Sequence, residues 1–112
     1  MPKPLYTVAF TPEALQQLED LYAYIALAAS PLVAQRYTDA IISYCESLPL
    51  SPLRGTRRDD IRPGLRITHY KGRAVIAFDV DALCITVIGI FYGGYNYEAA
   101  LGASGPGPEV EP

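Results

Sequence analysis

Two cap–proline pairs constrain this chain more than any other feature. Thr11-Pro12 and Ser30-Pro31 each stand immediately before a run with helical periodicity. A hydroxyl that accepts from a first-turn N–H, followed by a proline whose missing donor is not needed there, is a two-residue start signal. After Thr11, Glu13 lies where the helix dipole favours negative charge, and Leu15, Leu18, Leu21, Tyr22, Ile25 and Ala29 recur at helical spacing. After Ser30 the stripe is Val33, Tyr37, Ile41, Tyr44 and Leu48, and Pro49 stops it. With Ser30 alone between them, the two helices are expected to form an antiparallel hairpin.

Strand signals flank the hairpin. Leu5–Phe10 is short and apolar and precedes the first cap. Leu50–Gly64 reads as a loop, with Pro52, Gly55, Pro63 and Gly64. Leu65–Tyr70, Ala74–Val80 and Leu83–Tyr92 read as strands, separated by turns at Lys71-Gly72 and Asp81-Ala82. The last is apolar on both faces, as a central strand would be, with Leu83, Ile85, Val87 and Phe91 set against Cys84, Ile88 and Ile90. Tyr95–Leu101 is expected as a helical turn or an extended arm. The predicted fold class is α+β: an N-terminal strand, then the helical hairpin packed on one face of an antiparallel sheet, in the order βααβββ. Residues 1–101 are expected as one domain and 102–112, rich in Pro, Gly and acid, as a disordered tail.

The remaining bulk properties exclude more than they assign. No apolar run suits a membrane span and no signal peptide is visible, so the expectation is a cytoplasmic protein. Cys45 and Cys84 are isolated and His69 is the sole histidine, so no metal is expected; without a phosphate-binding glycine motif, neither is a nucleotide or other cofactor. The net charge of −3 argues against a general nucleic-acid coat or direct specific DNA binding.

That charge is unevenly spread. Seven of the nine basic residues lie between Arg54 and Arg73, with Asp59 and Asp60 the only acids there. Such a patch meets phosphates or an acidic protein surface. Arg57, Arg58 and Arg62 fall in the loop, whose Arg-Arg-Asp-Asp run partly neutralises itself. Arg66 and Arg73 lie on or beside strands, where an Arg can hold a phosphate or carboxylate bidentately; the alternative is a solvated Arg or one paired with Asp79. Taking Leu65 and Ile67 to face the hairpin puts Arg66, Thr68 and Tyr70 on the opposite face. His69 then shares the apolar face and is expected as a core residue rather than a catalyst. Tyr92, Tyr95 and Tyr97 surround Gly93-Gly94 and Asn96, and read as a mixture of core and partner contacts. Tyr22, Tyr37 and Tyr44 read as core aromatics with hydroxyls at the edge.

The whole arrangement resembles the RelE/ParE superfamily of toxins from type II toxin–antitoxin systems, its ParE (plasmid stabilisation) branch in particular. The resemblance rests on Thr11-Pro12-x-Ala14, the leucine-tyrosine run to Ile25, the Arg62-Pro63-Gly64-Leu65-Arg66 segment, Gly72-Arg73, and Ile88-Gly89-Ile90-Phe91-Tyr92-Gly93-Gly94. It implies a toxin without cofactor or metal, held in a hetero-oligomer by a ParD-like antitoxin, a ribbon-helix-helix protein with an acidic C-terminal segment. The ParE branch implies inhibition of DNA gyrase and no enzyme activity. The RelE branch implies ribosome-dependent mRNA cleavage, for which Arg66, Arg73 and Tyr95 are the candidate catalytic residues. A third implied possibility is an inactive homologue that binds only antitoxin. Tyr95-Asn96 stands where RelE-type sequences keep a further Arg and ParE-type sequences often read His-Gly-x-Arg-Asp, a departure that weighs most against the nuclease. The expected partner-binding residues are Arg57, Arg58, Arg62, Arg66, Arg73, Tyr92, Tyr95 and Tyr97.

Overall fold

A computed structural model of the chain describes residues 6–93 and 97–103. The elements are β1 (Thr7–Phe10), α1 (Pro12–Ala28), α2 (Pro31–Glu46), a 3-10 turn (Leu48–Leu50), β2 (Thr56–Arg57), β3 (Leu65–Tyr70), β4 (Ala74–Asp81), β5 (Cys84–Tyr92) and α3 (Tyr97–Ala103). Both cap signals are realised: Thr11 Oγ1 accepts from Ala14 N and Ser30 Oγ from Val33 N, each at 3.1 Å. Such caps contribute about 1 kcal/mol each. α3 carries the chain through Gly102 and Ala103, two residues assigned above to the tail; 104–112 lie outside the described residues. Among those described, no helix is long and apolar enough to cross a membrane, and no group of His, Cys, Asp and Glu is gathered as a metal site requires.

The sheet has five strands in the order β1-β5-β4-β3-β2. β2 to β5 pair antiparallel, but β1 lies parallel to β5, from Thr7 opposite Cys84 to Phe10 opposite Val87. β1 is shorter than β5, and side chains of the first helix continue its role. Thr11 Oγ1 donates to Ile88 O at 3.1 Å, and Gln17 Oε1 accepts from Ile90 N at 2.7 Å. Edge groups that a longer strand would have paired are thus satisfied by α1.

The helices bury the same spacing toward the sheet: Ala14, Leu18, Leu21 and Ile25 in α1, Ala34, Thr38, Ile41 and Cys45 in α2. This stripe is rotated from the one read off the large residues, and Leu15 and Val33 are 48% and 46% exposed. The small Ala14 and Ala34 are fully buried, in a close-packed interior that leaves little room for longer side chains. Thr38 is tolerated there because its hydroxyl donates to Ala34 O at 3.0 Å. Burial pushes the Cys45 thiol up to about 12. Both cysteines are free.

Two face assignments made from alternation are overturned. The hairpin packs on Ala74, Ile76, Phe78, Ile85, Val87 and Ile90, while Leu65 and Ile67 join Ala77, Phe91 and Leu101 in a second cluster on the other face, under α3. Leu65 and Ile67 therefore face away from the hairpin, and Arg66, Thr68 and Tyr70 face toward it. The reason is that both faces are covered, so an apolar residue in β3 does not by itself identify the hairpin side. The second correction concerns β5. Its register against β4 slips between Ala77 opposite Gly89 and Phe78 opposite Val87, leaving Ile88 as the extra residue of a bulge. The bulge reverses the alternation beyond it, so Ile90 packs with Val87 under the hairpin and Phe91 with Ile88 under α3.

Candidate partner-binding surface

The basic stretch divides according to what its guanidinium groups already hold. Arg57 lies opposite Arg66 across the β2–β3 pair, a like-charge juxtaposition that the fold relieves twice. Arg57 Nε meets Asp59 at 2.8 Å. Arg66 turns to the chain before β2, donating Nε to Arg54 O at 3.1 Å and Nη2 to Leu53 O. Arg66 is thus paired within the chain, with loop carbonyls rather than with Asp79, and anchors the loop to the sheet.

Arg58 and Arg62 hold α3. Arg58 grips Asp60 with two bonds of 2.9 and 2.8 Å and reaches Glu98 of α3 at 2.8 Å. Hydrogen bonds to these two carboxylates hold its pKa above the ordinary Arg value, and the bond from Arg58 holds Asp60 below the ordinary Asp value. Arg62 Nη2 donates to Leu101 O at 3.2 Å, near the C-terminal end of α3 where the helix dipole is negative. The loop neutralises itself in part, as expected, through Arg57–Asp59 and Arg58–Asp60, and in addition clamps the last helix. Asp79, on that same face, has its pKa raised by burial and by Asp81, against a lowering effect from Arg62.

The expected tyrosine cluster is divided as well. Tyr97 lies against Phe91, ring centroids 6.2 Å apart, within the cluster under α3. Tyr92 lies on the hairpin face, and Arg73 sits over its ring at 5.6 Å. Tyr95 and Asn96 lie outside the described residues. His69 shares the strand face of Leu65 and Ile67, yet it is exposed rather than a core residue. Arg66 and Arg73 are not brought together: Arg66 is the second residue of β3 and Arg73 follows its far end, at least four residues or roughly 13 Å of strand away.

The structure adds residues that sequence reasoning did not single out. Arg54 and Lys71 were counted in the charge cluster only; they sit over Tyr44 at 5.2 Å and Tyr70 at 5.8 Å. Tyr44 donates to or accepts from Thr68 Oγ1 at 3.0 Å. The Tyr37 hydroxyl is buried without a partner among the described residues, and burial, then Tyr92 and Tyr70, push its pKa up. Beside Arg73 and Tyr92 opens a cavity of about 570 Å³, walled by Gln17, Asp20, Leu21, Tyr24 and Ile90. Basic residues one and three positions after an aromatic strand end, Lys71 and Arg73 after Tyr70, were the available signal; the pairing of Arg73 with Tyr92 across strands was not.

Residues 8–97 match the family described as the ParE toxin of the type II toxin–antitoxin system parDE. A chain of the chromosomal ParDE TA system from P. aeruginosa has a TM-score of 0.71 at 17% identity, covering 81% of this chain and 99% of that one. At that identity the likeness is one of fold. No curated protein sequence matches.

Proposed function

The chain belongs to the ParE toxin family of type II toxin–antitoxin systems, and from that premise we propose that it inhibits DNA gyrase and is neutralised by a ParD-like antitoxin. On this reading the protein works in the cytoplasm as a non-enzymatic inhibitor, in a hetero-oligomer with its antitoxin until released. The observation that carries the choice of gyrase over RNA is the separation of the basic groups. Metal-free cleavage of a phosphodiester requires several charges converging on one phosphate. Here Arg66 is committed to the carbonyls of Leu53 and Arg54, and Arg73 stands beyond the other end of β3. A chain whose cations are dispersed around its own fold is better suited to binding protein than to cutting RNA.

The test is direct. Purified protein is added to gyrase and relaxed plasmid, with ribosome-dependent mRNA cleavage measured in parallel. Inhibition of supercoiling at micromolar concentration, relieved by a cognate ParD-like antitoxin, is the expected result. Untouched supercoiling, or translation-dependent cleavage that Arg73→Ala abolishes, would overturn it.

A further inference from the structure

Helix α1 touches the outer edge of β5 at two points and leaves a space between them. At the first, Gln17 Oε1 accepts from Ile90 N at 2.7 Å; at the second, the rings of Tyr24 and Tyr92 lie 6.3 Å apart. Seven helical residues separate the two points, a span of about 10 Å. The space is the cavity of about 570 Å³, within the range of small-molecule sites. Gln17, Asp20, Leu21 and Tyr24 keep the spacing of one helix face, so a single side of α1 lines it.

The polar groups of the cavity are of both signs, and the fold leaves them available. Arg73, over the Tyr92 ring at 5.6 Å, forms no ion pair among the described residues. Asp20 forms none either; its carboxylate accepts from Gln16 Nε2 at 3.0 Å. The two line one cavity without meeting. The strand adds backbone groups of both kinds. β1 ends at Phe10, opposite Val87, so the β5 edge runs on to Tyr92 with no strand beside it. The Ile90 N–H points out from that edge to Gln17, and by the two-residue period of a strand the Ile90 carbonyl and the Tyr92 N–H point the same way, roughly 6.6 Å apart. The Tyr92 N–H and Arg73 thus gather at the Tyr24 end. The Ile90 carbonyl lies at the Gln17 end, with Asp20 one turn along α1 from it.

We propose that this cavity binds a free aromatic α-amino acid: its carboxylate on Arg73 and the Tyr92 N–H, its ammonium on Asp20 and the Ile90 carbonyl, its ring against Leu21 and Tyr24. Each pole of the zwitterion then meets one charged and one backbone partner, and the charge-assisted bonds are the strong ones. Nucleotides and other polyanions suit the cavity less, because one guanidinium faces them and Asp20 repels them. The last residue of a peptide carries the carboxylate but an amide in place of the ammonium, which leaves Asp20 without a cation. The site is independent of the toxin reading and asks nothing of gyrase or of an antitoxin.

The probe is L-phenylalanine, titrated into the isotope-labelled full chain and followed by amide chemical shifts. Saturable shifts at Ile90, Tyr92, Gly93 and the Gln17 side-chain amide are expected, with a Kd of about 0.1–5 mM. Phenylpropionate lacks the ammonium, phenethylamine lacks the carboxylate and N-acetyl-phenylalanine has its amine blocked; each should bind about tenfold more weakly or worse. Asp20→Asn should weaken phenylalanine about tenfold and leave phenylpropionate within about twofold, whereas Arg73→Gln should weaken phenylalanine as much and leave phenethylamine within about twofold. Arg36→Gln, at an exposed position of α2, should change none of them. Where the spectrum of a variant shows misfolding, Asp20→Glu or Arg73→Lys takes its place, with the same selective loss expected. The proposal is overturned if shifts are absent or unsaturated at about 20 mM, if N-acetyl-phenylalanine binds as tightly as phenylalanine, if neither substitution weakens phenylalanine, or if a nucleoside monophosphate binds more tightly through the same residues.

Discussion

Replacing Gly55 by alanine tests how the basic loop is tied to the sheet. Gly55 precedes β2, whose Thr56 and Arg57 pair with Ile67 and Arg66. Its φ is +81°, and a Cβ there would lie 2.3 Å from Ile67 O and 3.0 Å from Ile67 C. Two penalties follow. A left-handed alanine costs about 1–2 kcal/mol, and forcing a methyl against strand backbone adds about 1–3 kcal/mol through displacement of its surroundings. Gly64 supplies the control, since its φ is +80° but nothing lies within 4 Å of the added Cβ. Gly64→Ala should therefore cost the conformational part alone, and Gly55→Ala about 1–3 kcal/mol more. Equilibrium urea unfolding at neutral pH measures both against the wild type. Equal losses, within about 0.5 kcal/mol, would refute the close approach of Gly55 to β3. The same displacement would carry Leu53 O and Arg54 O away from Arg66, so Gly55→Ala should also loosen Arg54 from Tyr44.

Asp79→Asn should stabilise the fold at neutral pH. Burial and Asp81 raise the folded-state pKa of Asp79 above its unfolded value, so the stability linked to its protonation is present in acid and lost as pH rises through the folded value. The thermal midpoints of variant and wild type should thus differ at pH 7 and converge below the ordinary Asp range; a difference that grows in acid would contradict this. Glu98→Gln removes the ion pair that ties α3 to Arg58 while leaving Arg58 bound to Asp60. The amides of α3 should then exchange faster with solvent, by a margin that narrows as salt screens the wild-type pair; unchanged protection would show that the Arg58–Glu98 pair does not hold the helix.

Local chemistry was fully legible where one or two neighbouring residues decide the outcome. Thr11 and Ser30 cap as their hydroxyls and the prolines after them require, and Lys71-Gly72 turns the chain between β3 and β4. Strand alternation was legible only as far as the bulge at Ile88. No local pattern announces that Ala77 pairs with Gly89, and one extra residue moves Phe91 and Ile90 to exchanged faces. Gly89 takes part in this, for a Cβ there would meet the Phe91 ring at 2.7 Å. Of the candidate site, Arg73 and Tyr92 were each placed at a strand end, but their contact across strands was not read. Arg58, Arg62 and Arg66 were expected as partner-binding residues; their contacts to Glu98, Leu101 O and the carbonyls of Leu53 and Arg54 are not ones that a motif displays.

By itself the sequence determined the first strand, the helical hairpin, the three later strands, the family resemblance and the concentration of positive charge between Arg54 and Arg73. These follow from backbone propensity, capping and composition, which act over a few residues at a time. Tertiary structure decided the parallel seat of β1 on β5, the face on which each residue of β3 lies, and which cations remain for a partner. Those outcomes depend on contacts between distant segments, such as Thr11 with Ile88 and Tyr24 with Tyr92. A side chain's charge is a property of its residue type, but whether that charge is already spent depends on what the folded chain brings within hydrogen-bonding reach.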